Sequence, residues 1–406
     1  MIAGWGPKDR TGIDPIDGGV TACPGLRASG VVSGVKASGR PDLALVVSDE
    51  LTSTAVVTTT NLVKAPACTL TENNAANGRS RAIVINAGNA NVCTPLGEEH
   101  AARMAASAAS HLDIDASDVL VMQTGVIGVP LPIETIEAAM PDAVAALSPD
   151  GGSQAAEAML TTDTVTKQVA FEVTDDDGGS CIVAGMAKGV GMIEPAMATL
   201  LVVLATDAPI NSALLKQLLR GAVGRSFNRI SVDGDGSTSD TVALLSTGAA
   251  TKPPSIDTIA RGLDAVCADL AYAVVADGEG ASRVAGITVA GAKTDEDAEK
   301  LARAVATSLL VRAAIHGGDP NWGRILMAMG TAGVDFEPQR VSVSCGDVMV
   351  CRFGVATSFD RGRAAAAMRK DEVAIDVDLG VGHASATVLT CDLTPEYVRF
   401  NAEYTT

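Results

Sequence analysis

Histidine is scarce in this sequence. Only His100, His111, His316 and His383 occur in 406 residues, none paired at metal-ligand spacing, so no metal site is expected. No CxxC pair occurs either. The eight cysteines, at positions 23, 68, 93, 181, 267, 345, 351 and 391, are spread along the chain. Dispersed thiols in a chain this long read as small core residues in a reducing compartment, not as a disulfide framework. Basic runs are missing, and a formal net charge of −18 leaves no surplus to neutralise phosphates, so no nucleic-acid partner is expected. The longest apolar run, Met197 to Ala205, is far short of the ~20 residues that span a bilayer. The N-terminal MIAGWGPKDRTGIDPIDGG lacks the apolar stretch of a secretory signal. The expectation is a cytoplasmic protein that engages neither membrane nor nucleic acid.

What is present is an ordinary globular composition, 47% hydrophobic and 19% charged, in a chain long enough for two or three domains. Short apolar runs bounded by Gly, Asn and Asp recur, among them LALVVS, TAVVTT, RAIVINAG, DVLVMQTG, KQVAFEV, GSCIVAGMAKG, TLLVVLAT, NRISVDG and TVALLSTG; these read as strands. Helical periodicity marks GEEHAARMAASAASHL, APINSALLKQLLRGAVGRSF, SIDTIARGLDAVCADLAYAV and TDEDAEKLARAVATSLLVRAAI. The last opens on Thr294 and Asp297 at capping-box-like spacing. Strands come in clusters between helices, which favours an α/β protein built of α+β layers over a doubly wound parallel sheet. The Gly- and Asp-rich stretch Asp277 to Ala281 precedes what reads as a separate C-terminal unit. The division drawn is a core over residues 1–285 and a C-terminal α+β domain over 286–406.

The most unusual segment runs from Lys188 through Gly-Val-Gly-Met-Ile-Glu-Pro-Ala-Met-Ala to Thr199 and the strand-like LLVVL. By itself it also fits a loop entering a buried strand, with threonine there for its β-propensity. As a phosphate loop it fails, since Glu194 replaces the third glycine and no GK[ST] follows. A catalytic reading is chemically coherent. A threonine hydroxyl is a weak nucleophile without a base, and breaking the Ala198–Thr199 bond would make the Thr199 α-amine that base. An α-amine titrates near ~7.7–8.0 and so accepts a proton near neutral pH without a histidine.

Other motifs carry milder signals. QTGVIG places Thr124 and Gly125 at a strand end, where a hydroxyl and an N–H could converge as an oxyanion hole; a plain turn fits equally. The asparagines of NAGNAN (86–91) read as turn scaffolding. DGDGSTSDT, from Asp233, fails the calcium-loop pattern at its sixth position, Thr238, and its twelfth, Leu244, and reads as an acidic, hydroxyl-rich turn. DGEG sets Glu279 between glycines, where it could meet a substrate amine.

Taken together, these motifs resemble the ornithine acetyltransferase (ArgJ) family. The resemblance runs from KASGRPDLAL at 36 through NAGNAN, QTGVIG, LTTDT, AKGVGMIEPAMATLL, DGDGSTSDT, DGEG, DPNWGR and DLGVGHASATVLTCDLT to NAEYTT at the end. It implies an αββα sandwich core and self-cleavage between Ala198 and Thr199, giving an α chain of residues 1–198 and a β chain of 199–406. Thr199 falls on the nucleophile, and Thr124 and Gly125 on the oxyanion hole. Thr162, Lys188, Thr199, Glu279, Asn401 and Thr406 fall on substrate-binding positions. The implied reaction moves acetyl from N2-acetylornithine to glutamate through an acetyl-threonine ester. No resident cofactor is implied; some members also take acetyl from acetyl-CoA, and no motif here decides that. Relatives commonly assemble as two α and two β chains. Two features depart from the family pattern: Glu194 and Ala196 before the nucleophile, where a small residue and asparagine are common, and Gly236 and Ser239 in place of threonine and asparagine. The alternatives are a self-cleaving aminopeptidase or amidase, with water as acceptor, and an uncleaved metabolite-binding protein.

Overall fold

A computed structural model describes Ile2, residues 4–194 and residues 200–403. The junction Ala198–Thr199 and the terminal Thr406 therefore lie outside the described residues. The chain forms two compact units. Among the described residues, the first comprises residues 9–194, 200–228 and 235–274; the second comprises Ile2 and residues 4–8, 229–234 and 275–403.

The first unit is built on a nine-stranded sheet. Its strands are β1 (Ile13–Pro15), β2 (Leu26–Val31), β3 (Leu43–Thr58), β4 (Arg79–Asn89), β5 (Val119–Val126), β6 (Lys167–Thr174), β7 (Ser180–Lys188), β8 (Leu201–Thr206) and β10 (Thr241–Ser246), with β9 (Ile230–Ser231) in the other unit. The order is β1-β6-β7-β8-β10-β3-β4-β5, and β2 adds to β3. LALVVS and TAVVTT, expected as separate strands, are one strand, β3, whose pairing with β4 shifts register between Val47 and Thr52. An irregularity of this kind lets a strand bend without ending.

Side-chain alternation explains the layers. Ile83 and Ile85 of β4, Leu120 and Met122 of β5, Ala184 and Met186 of β7, and Leu201, Val203 and Ala205 of β8 share one buried cluster. At one end of that face Lys188 of β7 lies 3.5 Å from Thr124 of β5, although four strands separate them in the sheet order, so the sheet curls over its own inner face. The opposite face of β4 and β5, carrying Ala82, Val84, Val119 and Val121, packs on the helices Gly97–Leu112 and Ile133–Ala145. The opposite face of β7 meets the helix Ile256–Ala276, where any side chain at Gly185 would strike Leu204 and Leu270. Helix, sheet, sheet, helix is the layering expected from the sequence.

The second unit has a seven-stranded mixed sheet that includes Val284–Ala292, Glu372–Asp378 and Ala384–Cys391. Thr294 caps the helix Asp295–Ala306 by accepting from the Asp297 N–H at 3.1 Å. The single long helix expected there is two. Thr307 turns its hydroxyl back to Arg303 O, and Ser308 caps a new helix, Leu309–Gly317. Seven of the eight cysteines are buried as expected; Cys93 is exposed. No helix among the described residues is long and apolar enough to cross a membrane.

Candidate active site

The inner faces of β5 and β7 end on polar residues. Thr124 follows Leu120 and Met122 in alternation, and Lys188 follows Ala184 and Met186. Both are 2% exposed, and Lys188 Nζ lies 3.5 Å from Thr124 Oγ1. Lys188 pairs in register with Leu201 at the start of β8. An ammonium, a hydroxyl and the first described residues after the junction thus gather at one end of the inner layer.

Lys188 is not the only charge there. Asp163, in LTTDT, is buried with its Oδ2 4.0 Å from Lys188 Nζ. Its Oδ1 accepts from Lys167 Nζ and from the Gly189 N–H, each at 2.8 Å, and its Oδ2 from the Thr161 N–H at 3.0 Å. Burial alone would raise this carboxyl, but the charges of Lys188 and Lys167 and the Lys167 and Gly189 hydrogen bonds hold it well below the usual carboxylate range. Two buried ammonium groups thus flank the Asp163 carboxylate. Lys36, of the KASGRPDLAL motif, lies in the field of these charges and of the buried Asp42. Its Nζ donates to Pro41 O at 2.6 Å and Ala158 O at 3.2 Å, and burial pushes its ammonium down to about 8.

Gly125 follows Thr124 at φ +127°, and any Cβ there would lie 2.3 Å from the Gly88 carbonyl carbon and 2.5 Å from the Asn89 nitrogen. QTGVIG and NAGNAN therefore touch backbone to backbone. The asparagines brace the turn: Asn86 donates to Asn89 O at 2.9 Å, Asn89 to Val129 O at 3.0 Å, and Asn91 to Gly97 O at 2.7 Å. Gly125→Ala should lower stability by about 1–3 kcal/mol from backbone strain alone. A thermal melt checks this, and an unchanged midpoint would contradict the contact with Gly88.

Thr162 is half-buried in the turn beside Asp163. In the second unit, Glu279 Oε2 accepts from Asn401 Nδ2 at 3.0 Å, and Asn401 also donates to Tyr397 O at 3.2 Å. The structure thus brings Thr124, Gly125, Thr162 and Lys188 together in one unit and pairs Glu279 with Asn401 in the other. Sequence reasoning passed over Asp163 and Lys167, although their four-residue separation next to Thr162 was visible. It also passed over Asp240, whose Oδ1 accepts from the Leu200 N–H at 2.9 Å.

The ArgJ family model matches residues 27–406. The chain belongs to the ArgJ family. The proteins named arginine biosynthesis bifunctional protein ArgJ from Symbiobacterium thermophilum and Gloeobacter violaceus are 45% and 44% identical to it. Each comparison covers 96% of this chain, and 99% and 98% of the respective relative. The crystal structure of the Bacillus halodurans protein of that name is 34% identical, with a TM-score of 0.48, over 50% of this chain and 98% of that one. The family expected from the motifs is thus the family found, and membership makes the chain an acetyltransferase.

Proposed function

We propose that the chain cuts itself between Ala198 and Thr199 and then moves acetyl from N2-acetylornithine to glutamate in arginine biosynthesis. The observation that carries this reading is the buried contact between Lys188 and Thr124 beside the start of β8, because Leu200 is bonded directly to Thr199. In the reaction, the Thr199 hydroxyl gives its proton to its own amine and attacks the acetyl carbonyl. The Thr124 hydroxyl and the Gly125 N–H hold the developing oxyanion, and ornithine leaves. Glutamate then takes the acetyl group from the threonine ester. Lys188, beside Thr124, suits a substrate carboxylate; Glu279, held by Asn401, suits the ornithine ammonium. Thr162 and Thr406 complete the substrate contacts. The reading needs no resident cofactor and places the reaction in the cytoplasm, with α and β chains assembled as α2β2.

The test is a denaturing gel of the purified protein joined to an acetylornithine–glutamate transfer assay. Two fragments and N-acetylglutamate are expected. One full-length band without activity, or cleavage with release of free acetate alone, would sink the proposal. Thr124→Val should cleave slowly or not at all. Any cleaved fraction should show kcat reduced by about 10²–10³, the usual loss of one oxyanion donor. A cleaved valine variant at full kcat would remove Thr124 from that role.

The relatives' name, bifunctional, favours a second donor. Acetyl-CoA should acetylate glutamate through the same threonine ester. A purified chain that makes N-acetylglutamate from acetylornithine but not from acetyl-CoA would limit it to one donor.

A further inference from the structure

The acidic turn beginning at Asp233 ends where β10 begins, and its last side chain, Asp240, is 1% exposed. Asp240 Oδ1 accepts from the Leu200 N–H at 2.9 Å, while the next residue, Thr241, donates its N–H to Leu200 O at 3.1 Å. Two successive residues therefore hold both backbone groups of Leu200. The second carboxyl oxygen, Oδ2, is buried without a hydrogen-bond partner among the described residues. Burying a carboxyl with an idle oxygen is costly, and a backbone carbonyl would satisfy an N–H at a strand entry as well. The cost falls at one place: the amide nitrogen bonded to the carbonyl carbon of Thr199.

We propose that Asp240 is a positioning residue for the nucleophile. Its hold on the Leu200 N–H fixes the backbone that carries the Thr199 hydroxyl and, after scission, the Thr199 amine. This rests on the cleavage proposed above. Burial, opposed by the Leu200 hydrogen bond, the nearby Ser237 hydroxyl and the charge of Lys188, keeps Asp240 well above the ordinary carboxylate range. In this reading a neutral amide can replace the acid, because its oxygen still accepts from the Leu200 N–H.

The test uses the full 406-residue chain as wild type, Asp240→Asn and Asp240→Ala. Cleavage is followed over time on denaturing gels, folding by circular dichroism, and transfer kinetics on the cleaved fraction. The asparagine variant should cleave within about threefold of wild type. Without a buried acceptor, the alanine variant should cleave at least about tenfold slower, and its cleaved fraction should lose kcat with little change in KM. Alanine cleaving as fast as wild type overturns the proposal, as does a folded asparagine variant as slow as alanine. If the alanine variant does not fold, asparagine decides alone: a folded asparagine chain at least about tenfold slower than wild type overturns the role, and near-wild-type cleavage supports it. A wild-type chain that never cleaves sinks the cleavage reading itself; the other negative outcomes, with a cleaving wild type, sink only the part given to Asp240.

Discussion

Thr199→Ala should yield one uncut chain of 406 residues with no transferase activity. In the proposed reaction, the substitution removes the one oxygen that both steps would require. Scission would need that hydroxyl to attack the Ala198 carbonyl, and acetyl transfer would need it to carry the ester. Without scission the α-amine would never appear, so the proposed base would be lost along with the nucleophile. Loss of a nucleophile that works as a unit with its base lowers turnover by about 10⁶. Thr199→Ser keeps the hydroxyl and should still cleave, which separates loss of chemistry from loss of fold. Gel analysis and the acetylornithine–glutamate assay on both variants give the answer. A cut and active alanine variant would end the case for Thr199.

Asp163→Ala should be the most destabilising of the substitutions considered. It leaves Lys167 and Lys188 buried without their shared carboxylate, and removing one member of a buried ion pair costs about 3–5 kcal/mol. Denaturant unfolding should show this directly. If Lys188 has the proposed role, any protein that folds should lose affinity for carboxylate substrates, since the ion pair of Lys188 with Asp163 is gone. A midpoint within experimental error of wild type would contradict the ion-pair geometry. The same group sets an acid limit. Asp163 has a folded pKa below its unfolded value of ~3.9, so its contribution is complete above that pH and is lost as pH falls further. Wild type should therefore lose stability in acid more steeply than Asp163→Asn, which has no proton to take up.

Much of this was legible because the informative features are local. Alternation along GSCIVAGMAK puts Lys188 on the same face as Met186, and alternation along VLVMQTG puts Thr124 with Met122. What period 2 cannot tell is that these two faces close on each other, because that depends on how the sheet curls. The Asp163–Lys167 pair escaped notice for a related reason. A carboxylate and an ammonium four residues apart in a loop read as solvated until burial is known. Asp240 was read as part of an acidic turn, since its partner is a backbone amide that sequence does not display. Ser308 broke a helix that apolar periodicity alone carried through, because a cap competes with periodicity and wins when its hydroxyl reaches the next turn.

The sheet order has one more consequence. β8 and β10 follow the proposed cut, yet they lie side by side between β7 and β3, which precede it. A cut chain would therefore be two pieces, with the β8–β10 pair of one seated between β7 and β3 of the other. Made alone, one piece would leave β7 and β3 each with an unpaired edge and the other would leave the outer edges of the β8–β10 pair open, so the uncut chain is the form that must fold. Halves produced separately and mixed should reassemble poorly compared with halves released from one precursor. Scission would then act as a one-way latch, easy to pass from the intact side and hard to reach from the other.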